Sequence, residues 1–277
     1  MREILFFSLM LMVLPLKAEG YGQELSSIKK EVTVDTSKYE ITYSMKFKYS
    51  KNDKQYHSDT RIMQIGKRFV KDYSEMQYHY DSLATENFRK GKTTPSMPDH
   101  FFPYEVCNNI AEKVATVNYR TFYSFTFCYK TPKKPQVWQL VADTSITVLG
   151  HHCNMAKVNY AGRTYTAWYA MDIPVHYGPY KFAGLPGLIM KIEDADKKYV
   201  WIVTGIVNKQ RPIKEYIYAG TKNTTSEKAS AIVKKMFKDP AAYMTSCGAK
   251  LYEVKNEKLV RITNSEEMKL EEIEIQN

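Results

Sequence analysis

The sequence predicts a mainly β fold of the α+β class: a large curled antiparallel sheet, open like a half-barrel, with one face covered by a late pair of helices. Three observations lead there. In Ile41 to Ser50 every odd position is apolar or aromatic and every even one polar, the two-residue period of a strand with one buried face. The same parity recurs between residues 113 and 130, where Ala115, Val117, Tyr119, Tyr123, Phe125, Phe127 and Tyr129 oppose Thr116, Asn118, Arg120, Ser124, Thr126 and Cys128. Only one later stretch carries apolar residues at helical spacing. Many strands followed by a helical pair make one twisted sheet with helices packed on a face.

Taken in order, the chain starts with an address. Arg2 is followed by a run from Ile4 to Leu16 that is apolar except for Ser8 and Pro15, then by Lys17-Ala18-Glu19-Gly20. That layout is a secretory signal peptide, and the run is shorter than the roughly 20 residues that span a bilayer. Cleavage after Gly20 is expected, which would leave a soluble periplasmic protein, not membrane-spanning, that begins at Tyr21. Residues 150–160 and 163–172 flank Ala161-Gly162 and read as a hairpin. Two strands follow, Leu188 to Glu193 and Tyr199 to Val207, separated by the turn-rich Asp194 to Lys198. Thr224 with Glu227 fits a capping box, and Ala229, Ile232, Val233, Met236 and Phe237 then recur on one helical face. Asp239 and Pro240 suit the cap and first position of a second short helix through Ser246, stopped by Gly248. Residues 21–263 thus read as one β-rich domain. Residues 264–277, with five glutamates, form an acidic tail expected to fray.

Charge and cysteine content narrow the function classes. The formal net charge is +10, but the basic residues sit in small scattered groups such as Arg89-Lys90-Gly91-Lys92 and Lys133-Lys134. Together with export this argues against nucleic acid and for a solvated basic surface, with attraction toward anionic partners or membrane head groups as the alternative. Four cysteines, Cys107, Cys128, Cys153 and Cys247, form an even set in an oxidising compartment, which suggests two disulfides. The expected pairs are Cys107 with Cys128 and Cys153 with Cys247.

From Trp138-Gln139-Leu140 the chain runs through Gly150-His151-His152-Cys153-Asn154-Met155 and Ala167-Trp168-Tyr169. It continues through Asp172-Ile173-Pro174 and Gly178-Pro179-Tyr180-Lys181-Phe182 to Gly184-Leu185-Pro186-Gly187-Leu188-Ile189. This order closely resembles the GLPGLI family, exported proteins typical of Bacteroidota, over roughly residues 138–206. In that family an aromatic residue often stands where this chain has His151, while Cys153 matches a common cysteine. The resemblance implies no particular activity. Physically the hexapeptide reads as a tight corner feeding the strand at Leu188. Pro186 fixes its own φ, Leu185 is pushed to an extended conformation, and Gly187 would supply the positive φ of a type II turn.

No side chain of that hexapeptide can attack, ligate a metal or transfer a proton, and the six histidines stand in no family-typical catalytic context. A Cys153 nucleophile served by His151 or His176 needs only a thiol beside an imidazole. His151, Cys153 and Met155 share one strand face and are soft enough for copper, but positions two apart are roughly 6.6 Å apart along a strand, too far to converge without leaning. No cofactor and no metal are expected. The favoured reading is a noncatalytic binding or carrier protein for an apolar or peptide-like ligand, with Trp168, Tyr160, Phe182 and Met45 as candidate lining residues of a groove in the curled sheet. The alternative is a structural component that docks on an outer-membrane protein.

Overall fold

The computed structural model describes residues 27–50, 53–93, 101–121, 125–255, 258–270 and 273–274. Residues 1–20, which the sequence leads one to expect as a signal peptide, lie outside them. The architecture is organised around one strand, β1 (Ile28–Phe47), twenty residues long. Its second half has the alternation expected, with Ile41, Tyr43, Met45 and Phe47 all buried. The first half is largely exposed along Lys29 to Thr33 and carries no burial period. Hydrogen bonding rather than packing therefore sets its course.

After β1 the chain forms β2 (His57–Gly66) and β3 (Phe69–Ser74), helix α1 (Glu75–Arg89), then β4 (Tyr104–Asn109), β5 (Val114–Arg120) and β6 (Thr126–Pro132). The parity between 113 and 130 thus belongs to two neighbouring strands. Both put their odd positions on the core face, because Val117 pairs with Tyr129 and Tyr119 with Phe127. Five further strands, β7 (Gln139–Val148), β8 (His151–Tyr160), β9 (Arg163–Ala170), β10 (Leu188–Asp194) and β11 (Tyr199–Val207), make the other half of the sheet. The expected hairpin is β8 and β9, with Ala161 and Gly162 both at positive φ in its turn. Next come β12 (Pro212–Tyr218), β13 (Thr221–Asn223), α2 (Ser226–Lys238), α3 (Pro240–Ser246) and a separate hairpin of β14 (Leu251–Lys255) and β15 (Lys258–Ile262).

Thirteen strands share one open sheet in the order β13-β6-β5-β4-β3-β2-β1-β11-β10-β9-β8-β7. Every neighbouring pair is antiparallel except β13 on β6, a short parallel contact of three residues. β1 is the seam: it pairs with β2 on one edge and with β11 on the other. β12 carries the second ladder on along Ile28 to Thr36.

The helices follow the capping chemistry. Thr225 caps α2 by accepting from Lys228 N, one residue later than the capping box anticipated. Asp239 caps α3 with Pro240 in its first turn, and Gly248 turns away at φ 96°. The buried stripe of α2, Ala229, Val233, Met236 and Phe237, packs on Tyr119 and Phe127. The helix α1 was not anticipated. Ser74 caps it and its buried positions are Gln77, Asp81 and Ala84, so no apolar period announces it. It lies against the opposite face of β1 to β5, since Asp81 meets Arg120, whose neighbour Tyr119 points to the core. Helices therefore cover both faces of this half of the sheet.

The hexapeptide does form a corner into β10, but by other means. Gly184 takes the positive φ, at 98°, and Gly187 does not. Gly187 is needed for closeness: a Cβ there would overlap the Ala170 carbonyl, with the carbonyl carbon at 2.6 Å. The corner is pinned from outside. Trp138 Nε1 donates to the Ala183 carbonyl (2.8 Å) and Leu188 N to that of Ile173 (3.2 Å), while Tyr43 Oη donates to the Ile189 carbonyl (2.8 Å).

Neither expected disulfide is formed; all four cysteines are free thiols. Cys107 faces Thr116 of β5 and Cys128 faces Asn118, so a whole strand separates them. Two strand spacings are roughly 9.6 Å, beyond the roughly 4.4–6.8 Å between Cα atoms that a disulfide spans. Cys153 is buried in the main core, where its Sγ donates to the His151 carbonyl (3.4 Å). Cys247 caps the end of α3.

Candidate functional site

The core face of the sheet is filled by side chains. Met45, one candidate lining residue, is 0% exposed and sits in the main cluster together with Tyr160 and Phe182. The Tyr160 and Phe182 rings are 5.6 Å apart, and Phe182 also meets Tyr165 at 4.7 Å. Trp168 pairs with Met155 and Lys191, with the Lys191 ammonium 4.4 Å from its ring centre, while its neighbours Ala167 and Tyr169 face the other side. Trp168, 9% exposed, belongs to the same buried cluster as the other three.

One opening lies beside α2. Tyr104 of β4, Tyr119 of β5 and Tyr129 of β6 line it together with Tyr180 from the Gly178 to Phe182 loop, Ala229 and Val233 of α2, and Leu270 and Glu274 of the tail. The strand parity supplies the first three tyrosines, one from each of three neighbouring strands. Tyr104 packs edge-on against Tyr119 at 4.8 Å and against Tyr180 at 5.7 Å. Burial pushes the phenols of Tyr104, Tyr119, Tyr129 and Tyr180 far up, so each hydroxyl keeps its proton and can donate it. An amphipathic aromatic wall of donors suits a ligand with apolar body and acceptor oxygens. The space left open is about 40 Å³. That holds little more than a water or two, far below the roughly 300 Å³ at which small-ligand pockets begin.

The tail explains the small volume. Expected to fray, it instead places Ile273 in the main core and Glu274 at the rim of the cleft. Tyr165 Oη donates to the Ile273 carbonyl (3.1 Å). Glu274 Oε1 accepts from Lys181 Nζ (2.6 Å) and from Tyr180 Oη (2.9 Å). Burial lowers the Lys181 ammonium's pKa, and the Glu274 carboxylate opposes that.

Two other concentrations of buried charge flank the sheet. On the core face Arg61 is wholly enclosed, bonded to Asp72, to Asp59 (3.3 Å) and to the carbonyls of Phe102 (3.3 Å) and Tyr104 (2.7 Å). Asp59 also accepts from Ser74 Oγ (2.8 Å) and Phe102 N (3.1 Å). On the other face, beneath α1 and β12, Glu105 accepts from Asn118 (2.9 Å) and Tyr218 Oη (2.8 Å) and lies 3.4 Å from Lys71 Nζ. Asp81 accepts from Arg120 Nη2 (2.7 Å) alongside. Its carboxyl is pushed up to about 6 by burial, against the pull of Arg120 and helped by the charge of Glu105.

That shift has a testable sign. A carboxyl with a folded pKa near 6 and an unfolded one near 3.9 holds its proton more tightly when folded. Its contribution is therefore largest below about pH 4, declines as pH rises toward about 6 and is flat above, by up to roughly 3 kcal/mol. Urea denaturation of the parent and of Asp81→Asn from pH 4.5 to 7.5 should give stability differences that change across this window. Parallel profiles would remove Asp81 as the titrating group.

Cys153, His151 and His176 each have other hydrogen-bond partners. Burial raises the Cys153 thiol's pKa, and its hydrogen bond goes to a backbone carbonyl. His151 is engaged with Asp172 (2.6 Å) and His176 with the Leu185 carbonyl (2.9 Å). Among the described residues no three His, Cys, Asp or Glu side chains gather as a metal set. Among them, too, no helix is long and apolar enough to cross a membrane.

Residues 108–191, from the end of β4 to the middle of β10, match the family model described as a protein of unknown function, Porph_ging. No curated protein is matched. Among solved structures, two crystal forms of PNGF-II are similar at TM-scores of 0.43 and 0.47, with 15% and 14% identity. They cover 72% and 74% of this chain, which spans only about a third of their length, 33% and 34%.

Proposed function

We propose that this chain is a noncatalytic binding protein of the periplasm, exported by residues 1–20, which takes an apolar or peptide-like ligand in the tyrosine-walled cleft beneath α2. The observation that carries the reading is that wall: Tyr104, Tyr119, Tyr129 and Tyr180, all protonated, converge beside the apolar face of Ala229 and Val233. Aromatic donors around an apolar floor are how proteins grip segments that combine hydrocarbon with carbonyl or carboxylate oxygens. The basic surface favours anionic occupants.

A second reading, a structural component docked on an outer-membrane protein, draws on β7. Among the described residues this strand ends the sheet, pairing with β8 on one side, and it exposes Leu140 at 63%. Open edges with exposed apolar side chains add strands from partners.

Native mass spectrometry of protein recovered from its own envelope is expected to reveal a retained species that leaves on unfolding. A clean unliganded mass, together with no saturable uptake of a fluorescent lipid or peptide series by the folded protein, would sink the binding reading and leave the docking one.

A further inference from the structure

The carboxylate in the cleft is held by parts that the rest of the fold builds. Between Gly178 and Phe182 the chain turns back on itself, with Gly178 N donating to the Phe182 carbonyl (2.9 Å) and Phe182 N to that of Pro179 (3.2 Å). Asn108 Nδ2 donates to the Tyr180 carbonyl (3.1 Å) and Gln136 Nε2 to that of Lys181 (2.9 Å). Tyr180 itself stands at φ 60°, a conformation that a bulky residue holds only where its surroundings impose it. The outcome is that Tyr180 Oη and Lys181 Nζ, from consecutive residues, meet on one oxygen of Glu274. A lysine as buried as Lys181 needs an opposite charge, and Glu274 supplies it.

The rest of the segment is held as a peptide is held. Met268 N donates to the Phe237 carbonyl (2.8 Å), Leu270 forms an isolated antiparallel bridge with Ser50, and Tyr165 Oη reads the Ile273 carbonyl (3.1 Å). Ile273 is 2% exposed although residues 263–267 before it are exposed. A fatty acid offers a carboxylate and hydrocarbon but no main-chain carbonyl for Tyr165 and no amide for Phe237.

We infer that the cleft is a receptor for an acidic peptide in which an aliphatic residue directly precedes a carboxylate, and that Ile273-Glu274 is a resident copy which such a segment of another protein displaces. This rests on the binding reading above and names its ligand class. The protein's net charge of +10 draws acidic segments to it. A tethered copy competes at an effective concentration in the millimolar range, so an incoming peptide binds the intact chain far more weakly than a chain without its tail.

The test uses fluorescence anisotropy with a labelled synthetic peptide of residues 265–277 at low salt. Protein lacking residues 265–277 should bind it saturably, and the intact chain at least about tenfold more weakly. The same peptide with Glu274→Gln should bind the shortened protein at least about tenfold more weakly than the parent peptide, and Lys181→Met in the shortened protein should erase that preference, because a charge-assisted contact is lost in each case. Since the shortened chain could fail to fold, a full-length Ile273→Ser, Glu274→Gln variant, checked by its melting transition, should gain binding of the parent peptide. Equal binding of the Glu274→Gln peptide, or no binding by a folded variant, overturns the inference, and so does unfolding of both variants, which would make the tail a plain part of the core. If those proteins take up a fluorescent fatty acid but no acidic peptide, the ligand class is wrong while the binding reading stands. Uptake of neither probe removes both.

Discussion

Gly187→Val should yield little or no folded protein, with a loss of several kcal/mol where any can be measured. The reason is local. β10 starts at Leu188, which pairs with Ala170 at the end of β9, and the chain enters that pairing with Gly187 pressed on the Ala170 carbonyl. A Cβ would stand 2.6 Å from the carbonyl carbon and 3.0 Å from Met171 Cα. These are backbone atoms that a rotamer change cannot move, and overpacking of this kind costs roughly 1–3 kcal/mol before branching is counted. Val adds two further methyls. The strand cannot retreat, because Leu188, Ile189 and Met190 are all buried in the main core and the Ile189 carbonyl is held by Tyr43. Pro186→Ala, at an exposed position, should cost only about 1 kcal/mol, chiefly through a looser unfolded chain. Urea denaturation and soluble yield measure both. A Gly187→Val protein that melts within a couple of degrees of the parent would mean the corner has slack that the geometry denies.

Arg61→Met is the second large effect, with about 3–5 kcal/mol lost at neutral pH. Asp72 and Asp59 hold the guanidinium charged against the pull of burial, and it in turn neutralises them. Without it two carboxylates remain inside, and the Asp59 carboxyl, already raised by burial, would rise further. The sign with pH follows. A carboxyl whose folded pKa is raised gives a protein that is more stable at low pH, so the gap between Arg61→Met and the parent should narrow from pH 7.5 to 5. Asp72→Asn in the Arg61→Met background should recover part of the loss, since it removes one uncompensated charge. A constant gap across pH, or no recovery in the double variant, would show that Arg61 acts through packing alone.

These two sites differ in how far the sequence announced them. Alternation in the second half of β1 and in β5 and β6 was legible because one face of each strand is apolar and strands repeat every two residues, and the β8–β9 hairpin was legible from its Ala161-Gly162 turn. Gly187 was legible as a constraint, but its cause was not. A glycine forced by the approach of another strand reads the same in one dimension as a glycine forced by φ. Arg61 was invisible, since a charged residue at an inward position of β2 breaks the very pattern used to find inward positions. The same holds for α1, whose buried side is Gln77 and Asp81. Of the cleft, Tyr119 and Tyr129 stood on the core-facing row, and Phe182 was singled out while Tyr180 and Lys181 beside it make the contact with Glu274. Ile273 was hidden by composition, an aliphatic residue among glutamates.

The seam strand sets an order of events. β1 is made early, yet one of its edges can be filled only by β11 and β12, as in the pairing of Ile28 with Tyr218. Some 190 residues separate those partners, a loop whose closure is slow even where its entropy grows only as the logarithm of length. A nascent chain that has not yet delivered Tyr218 therefore carries an incompletely paired edge down the middle of its future sheet. Such an edge invites strands from other chains. During synthesis β1 stays open to pairing with a wrong chain until nearly four fifths of the sequence has emerged.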